Sequence, residues 1–185
     1  IRARQEKQLA DTFGQYILYD RRIFRFGSDL TACNVLSYKL TKHLPSTGFC
    51  NKTTAENISL ALREALSNAV CHGNLEIASR VREERGINGF NEEVELRRGL
   101  PEYCDRKVTI YYEFTGEYAE YVIEDEGPGF DVSALPDPRD QENFLRDSGR
   151  GLLIIRVHMD EVDWNEKGNS IRLRKYRVKR DNHAV

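Results

Sequence analysis

The chain has 185 residues, which is the length of one globular domain with or without a short extension. Its 28 Lys and Arg residues nearly balance its 30 Asp and Glu residues, so the formal net charge is −2 at pH 7. This balance argues against a protein whose main task is to coat nucleic acid or an anionic membrane. Hydrophobic residues make up 39% of the chain and charged residues 31%, which is typical of a folded domain rather than a disordered one.

The four cysteines are Cys33, Cys50, Cys71 and Cys104, and no two of them form a C-x-x-C pair, so the sequence does not indicate a zinc site. Cys33 and Cys71 fall within helical patterns, where a buried free thiol is the usual role. The sequence has no apolar run of about 18 residues and no signal-peptide pattern. We therefore expect a cytoplasmic domain with reduced cysteines and no membrane association.

The first half of the chain predicts an arm, a strand and two helices. Residues 1–22 are polar without a clear period, and we interpret them as an N-terminal arm or linker. Residues 23–26 alternate as a short strand, and a helix follows the N-cap candidates Ser28 and Asp29. A second helix begins at the capping-box pattern of residues 53–56 and ends at residues 72–74.

The second half predicts a charged insert followed by strands and one helix. Residues 75–107 are charged and irregular, and we expect a short helix and a long loop there. The other elements follow in order: a hairpin of residues 108–114 and 118–125, an apolar helix over 152–159, and a hairpin of 162–164 and 171–173. This order predicts an α/β (α+β) two-layer sandwich with a mixed, mostly antiparallel sheet and helices on one face, in a domain spanning residues 23–180.

One side of the second helix carries an unusual stripe of polar residues. Glu64, Asn68 and His72 are successive i, i+4 neighbours, so they share one helix face, opposite the apolar residues. From spacing alone, a solvated helix face is the simpler interpretation. The functional alternative is a site in which the carboxylate acts as a base and the amide oxygen binds Mg²⁺ beside phosphates.

A carboxylate ends the strand of residues 118–125. By the period of two, Asp125 shares a face with apolar residues, so it needs hydrogen-bond donors from the backbone or from a ligand amine. Gly127 and Gly129 follow and permit close approach of the backbone to a flat ligand. A tight turn in which Asp125 bonds its own backbone is an equal alternative.

The third pattern precedes the apolar helix. Ser148, Gly149, Arg150 and Gly151 stand where free N–H groups at the start of a helix bind anions. A helix cap with a hinge is the alternative. The chain contains neither a P-loop nor a Rossmann glycine motif, so those nucleotide-binding folds are not indicated.

The joint occurrence of the three patterns, in this order, is more specific than any one of them. They are Glu64-x-x-x-Asn68, Asp125-x-Gly127-x-Gly129 and Gly149-x-Gly151-Leu152. Together they resemble the N, G1 and G2 boxes of the GHKL (Bergerat-fold) ATPases, a histidine kinase-like ATPase superfamily. The resemblance is greatest to the anti-sigma-factor serine/threonine-protein kinase branch, and it covers residues 23–176.

The resemblance implies ATP or ADP and Mg²⁺ as cofactors, and a role for each box. It implies that Glu64 is the general base, that Asn68 holds Mg²⁺ and that Asp125 accepts from the adenine amine. Residues 132–148 would form a lid. The remaining implied nucleotide contacts are His72, Gly127, Gly129, Phe130, Ser148, Gly149, Arg150, Gly151 and Leu152.

The resemblance further implies a kinase in a partner-switching pathway, whose substrate is a small anti-sigma antagonist protein. We expect protein partners, such as this antagonist or a sigma-factor-like regulator, and no nucleic acid. Members of this branch often form homodimers, which stays open here. Residues 75–107 exceed the corresponding connection of compact anti-sigma kinases, so we expect partner specificity there. The alternatives are a non-catalytic ATP-binding module that sequesters a partner, or an ATP-hydrolysing switch; the presence of Glu64 favours the enzyme.

Overall fold

The computed structural model describes residues 14–134 and 150–177, in which one sheet of five strands is accompanied by four α-helices. The strands are β1 (Asp20–Gly27), β2 (Lys107–Phe114), β3 (Tyr118–Asp125), β4 (Glu161–Trp164) and β5 (Ser170–Tyr176). The helices are α1 (Leu30–Thr41), α2 (Lys52–Asn68), α3 (Arg80–Arg98) and α4 (Arg150–His158), with a π-helix at Ala69–Asn74 and short 3₁₀ turns at Gly14–Tyr16 and Val132–Ala134. No helix in these described ranges has the length and apolar character needed to cross a membrane.

The strands are ordered β1-β2-β3-β5-β4, and each described pair is antiparallel. The predicted α/β sandwich is therefore confirmed, although the sequence left room for a parallel pair that the described strands do not contain. Both predicted hairpins are present, as β2–β3 and β4–β5. Gly116 and Gly168 in their turns have φ of 79° and 77°, a region that favours glycine.

The alternating side chains of the central strands build the core. On β2, Ile110 and Tyr112 are buried, and on β3 their neighbours Tyr121 and Ile123 are buried against the helices. The other face of the sheet carries charged side chains and ion pairs, such as Arg174 Nη2 to Glu120 Oε2 at 2.5 Å. One buried face explains why the helices pack on a single side of the sheet.

Helix α2 packs against both α1 and α4 and supplies much of the core. Its apolar side buries Ile58, Leu62 and Leu66 completely. The predicted capping box at residues 53–56 is wrong, because the N-cap is Asn51, whose side chain accepts from the N–H of Thr54 at 2.8 Å. An Asn two residues earlier satisfies the helix N-terminus, so the Thr53 hydroxyl is not needed there.

The prediction of a short helix and a long loop over residues 75–107 is also wrong. Helix α3 occupies 19 of these residues and is kinked at Gly86, which has φ 65° and ψ −173°. It buries only Gly89 and Val94, so it shows little apolar periodicity. Its stability comes from Arg and Glu, which favour helices, and from ion pairs such as Arg97 Nε to Glu93 Oε1 at 2.8 Å.

We expect Leu62→Ala to lower the free energy of unfolding by about 2–5 kcal/mol, because Leu62 is fully buried at the centre of α2. Glu56→Ala, an exposed change on the same helix, should alter it by less than about 0.5 kcal/mol. Urea denaturation of both variants measures the difference. A loss below about 1 kcal/mol for Leu62→Ala would contradict this packing.

Candidate functional site

A cavity of about 510 Å³ lies between helix α2 with its π-helical extension and the end of the sheet. Residues from all three sequence boxes line it: Glu64, Asn68 and His72; Asp125, Gly129 and Phe130; Gly151 and Leu152. Ala65 and Ala69 line it on the helix side, and Ile123 and Ile171 line it on the sheet side. Apolar walls with a few polar groups are typical of a pocket for a small-molecule ligand.

The start of α4 approaches the polar stripe of α2. A β-carbon added at Gly151 would lie 3.4 Å from Glu64 Oε2 and 3.7 Å from Asn68 Nδ2. Glu64 is partly exposed, and its Oε1 is 3.5 Å from Arg63 Nη2. The structure therefore brings the first and third boxes together, with a carboxylate and an amide beside a glycine.

The helix changes from α to π directly after Asn68. The N–H of Leu75 donates to the carbonyl of Val70, an i+5 bond of 2.9 Å. His72 is exposed, and its Nδ1 donates to the carbonyl of Ile77 at 2.6 Å, since a carbonyl oxygen only accepts. His72 thus lines the cavity and also holds the chain where it leaves the π-helix.

The carboxylate of Asp125 lies directly against the backbone of Gly73. A β-carbon at Gly73 would be 2.3 Å from Asp125 Cγ, and one at Gly127 would be 2.3 Å from the carbonyl oxygen of Gly73. Both positions therefore require glycine. The sequence predicts a helix end at Gly73, and the pairing of Gly73 with Asp125 depends on a tertiary contact that spacing does not reveal.

Burial raises the pKa of Asp125 to about 6, against the opposing effects of the Gly127 N–H and the charges of Lys167 and Arg106. The N–H of Gly127 donates to Asp125 Oδ1 at 2.9 Å. A carboxyl group with a raised pKa inside a cavity is a frequent feature of functional sites.

The turn between β4 and β5 lies against Gly129 of the second box. Gly129 has φ 79°, and a β-carbon there would be 2.0 Å from the carbonyl oxygen of Lys167. The Asn169 side chain donates to the Asp125 carbonyl at 2.8 Å, and the Asp125 N–H donates to the Asn169 carbonyl at 3.0 Å. Asn169 lines the cavity and was missed from the sequence, because only the folded sheet brings it to Asp125.

Two arginines of the charged segment 75–107 hold the chain that follows Gly73. Asn74 is fully buried, and its Oδ1 accepts from the Glu126 N–H at 2.9 Å. Arg106 Nη1 donates to the Asn74 carbonyl at 2.8 Å, and Arg97 Nη1 donates to the carbonyls of residues 75 and 76 at 2.9 Å. Both guanidinium groups lie over the ring of Tyr103, at 5.6 and 5.0 Å. The segment thus holds the chain that adjoins Asp125.

Some predicted site residues lie elsewhere. Ser148 and Gly149 fall outside the described residues, as does the predicted lid beyond residue 134. Arg150 is exposed and is not among the described residues that line the cavity. Gly127 does not line it either, but lies behind Asp125 as described above.

The amide of Asn68 on α2 fits a magnesium ion that is held together with phosphates. The described part of the chain contains no group of three His, Cys, Asp or Glu side chains suited to hold a metal alone. Asn68 offers one amide oxygen to such an ion, and Glu64 lines the same cavity. Mg²⁺ prefers oxygen ligands and usually takes one or two from protein beside water and substrate phosphates.

Comparison with known proteins agrees with this geometry. Residues 28–175 match the family model of the histidine kinase-like ATPase domain. The chain belongs to this family. It is 29% identical over 128 residues to the serine-protein kinase RsbW of Staphylococcus aureus strain MSSA476, and 30% identical over 128 residues to that of strain JH9. Each match covers 65% of this chain and 65% of the length of the relative. The resemblance to the anti-sigma kinase-like branch of the GHKL ATPases is confirmed, and with it membership of an ATP-binding family.

We expect the affinity for Mg-ADP to fall as the pH drops through about 6, because Asp125 accepts from an amine best as a carboxylate. Between pH 7.5 and pH 5, the ratio of wild-type to Asp125→Asn affinity should fall about tenfold. The phosphates titrate equally in both proteins, so the ratio isolates Asp125. Calorimetry at several pH values measures it, and a constant ratio would contradict the assignment.

Gly73→Ala should weaken Mg-ADP binding at least about tenfold, because the new methyl group must displace the Asp125 carboxylate. Gly99→Ala is the matched control, since its β-carbon would meet no atom closer than 3.6 Å. Calorimetry gives the affinities and circular dichroism shows whether each variant is folded. Unchanged affinity in folded Gly73→Ala would contradict the contact.

Proposed function

We propose that this chain is the catalytic domain of a serine/threonine-protein kinase that transfers phosphate from Mg-ATP to a partner protein. The observation that supports this most is the approach of Gly151 to Glu64 and Asn68. It puts a carboxylate and an amide oxygen beside the first turn of α4, which contains Gly151 and Leu152 of the third box. Phosphoryl transfer requires positioning and charge neutralisation more than covalent chemistry, so these groups suffice.

In this proposal, each wall of the cavity has one task. Asp125 accepts a hydrogen bond from the adenine amine, which selects adenine over a base that carries a carbonyl there. Ala69 on the helix and Ile123 and Ile171 on the sheet enclose the flat ring. Asn68 holds Mg²⁺, which supplies positive charge to the phosphates.

Glu64 acts as the general base. It takes the proton of the acceptor serine or threonine hydroxyl while that oxygen bonds to the terminal phosphorus and ADP leaves. The partner that we propose is a small anti-sigma antagonist protein, whose phosphorylation would decide which protein it binds. The similarity to serine-protein kinases supports this choice.

Glu64→Gln should keep the affinity for Mg-ADP within about threefold but lower phosphate transfer about 10²- to 10⁴-fold, because it removes only the base. Glu56→Gln, an exposed change on the same helix, should transfer phosphate at the wild-type rate. Transfer of labelled γ-phosphate from ATP to candidate antagonist proteins of the source organism gives the rates.

The outcomes separate the alternatives. Equal rates for wild type and Glu64→Gln would show that Glu64 is not the base. ATP hydrolysis by the wild type without labelled protein would indicate an ATP-hydrolysing switch. Binding of ATP and of a candidate antagonist without turnover would indicate a module that only sequesters its partner.

A further inference from the structure

The charge of the cavity wall is at odds with an anionic ligand. Three carboxylates line the cavity, those of Glu64, Glu76 and Asp125. Among the described residues that line it, Arg82 is the only lysine or arginine. A nucleoside di- or triphosphate carries several negative charges, so a cation in this wall would matter more than one on the open surface.

Arg82 comes from helix α3, outside the three sequence boxes. Its guanidinium carbon is 5.9 Å from the ring centroid of Phe90, and both side chains line the cavity. The kink at Gly86 divides α3 between the two residues. The pairing with an aromatic face holds a guanidinium in place without neutralising its charge.

No carboxylate in the described part of the chain is paired with Arg82. The Arg82 side chain is exposed. Glu76 Oε1 is paired with Arg106 Nη1 at 2.7 Å, and Glu64 Oε1 lies 3.5 Å from Arg63 Nη2. Two of the three acids of the wall, Glu64 and Glu76, therefore have other cationic partners.

The position of α3 beside the cavity is fixed by its other end. Val94 is buried in the core, and Arg97 bonds the two carbonyls that follow the π-helix. Val81, next to Arg82, also packs against the core. The first turn of α3 is thus held at the cavity by contacts on both sides of the kink.

We propose that Arg82 binds the phosphate groups of the nucleotide and so adds a contact from the segment 75–107 to the ATP site. This rests on the proposed function, in that the ligand is an adenine nucleotide. A guanidinium is suited to the role because it presents paired N–H donors that match two phosphate oxygens.

Calorimetry with ATP, ADP and adenosine, each with Mg²⁺, tests the proposal on the wild type, Arg82→Met and Arg80→Met. Methionine keeps an unbranched side chain against Phe90 but removes the charge. Arg80 is exposed on the same turn and does not line the cavity, so it is the matched control. Arg82→Met should weaken ATP and ADP binding about tenfold and leave adenosine binding unchanged, and Arg80→Met should change none of them.

An equal loss for adenosine would show that Arg82 shapes the wall rather than binding phosphate, and would overturn the proposal. Unchanged ATP affinity in Arg82→Met, or an equal loss in Arg80→Met, would also overturn it. A wild type that binds no adenine nucleotide would overturn both this proposal and the kinase. Arg82→Met could lose affinity for ATP and ADP but not for adenosine, while the wild type transfers no phosphate to any candidate protein. That outcome would support the role of Arg82 and overturn only the proposed kinase activity.

Discussion

The contact between the Asp125 carboxylate and the Gly73 backbone determines how the two halves of the site fit together. It joins the end of strand β3 to the end of the π-helix, and any side chain at Gly73 would collide with the carboxylate. The neighbouring residues reinforce it, since Asn74 accepts from the Glu126 N–H and Gly127 donates to Asp125. The same closeness buries the carboxylate and raises its pKa, which leaves it ready for a donor from a ligand.

The π-helix makes this contact compatible with the polar stripe on α2. Glu64 and Asn68 lie one α-helical turn apart and belong to the same face. After Asn68 the wider turn shifts the following residues around the helix axis relative to a continuous α-helix. Gly73 can therefore meet the strand while Glu64 and Asn68 keep facing the cavity. A helical irregularity at this point serves the site rather than the stability of the helix.

The elements with strong apolar periodicity could be predicted from the sequence, and so could the boxes of the site. Strands β2 and β3 alternate clearly because one face is buried, and α2 repeats its apolar residues at helical spacing. Helix α3 could not be predicted in this way, because it buries little and depends on ion pairs and helix propensity. Likewise Gly73, Asn74, Asn169 and Arg82 act through partners that only folding brings near, so local spacing gives no signal for them.

The segment 75–107 contributes to the structure of the site as well as offering a surface to the proposed partner. Two of its arginines, Arg97 and Arg106, donate to three successive carbonyls directly after Gly73, which contacts Asp125. Recruitment of another protein alone does not account for these bonds. Their stacking on Tyr103 makes the two arginines one unit, since moving the ring disturbs both. Any partner that displaced α3 would pull on the chain next to the carboxylate, because Arg97 belongs to α3 and bonds that chain directly. The position of α3 and the geometry of the cavity are thus connected through the chain that follows the π-helix.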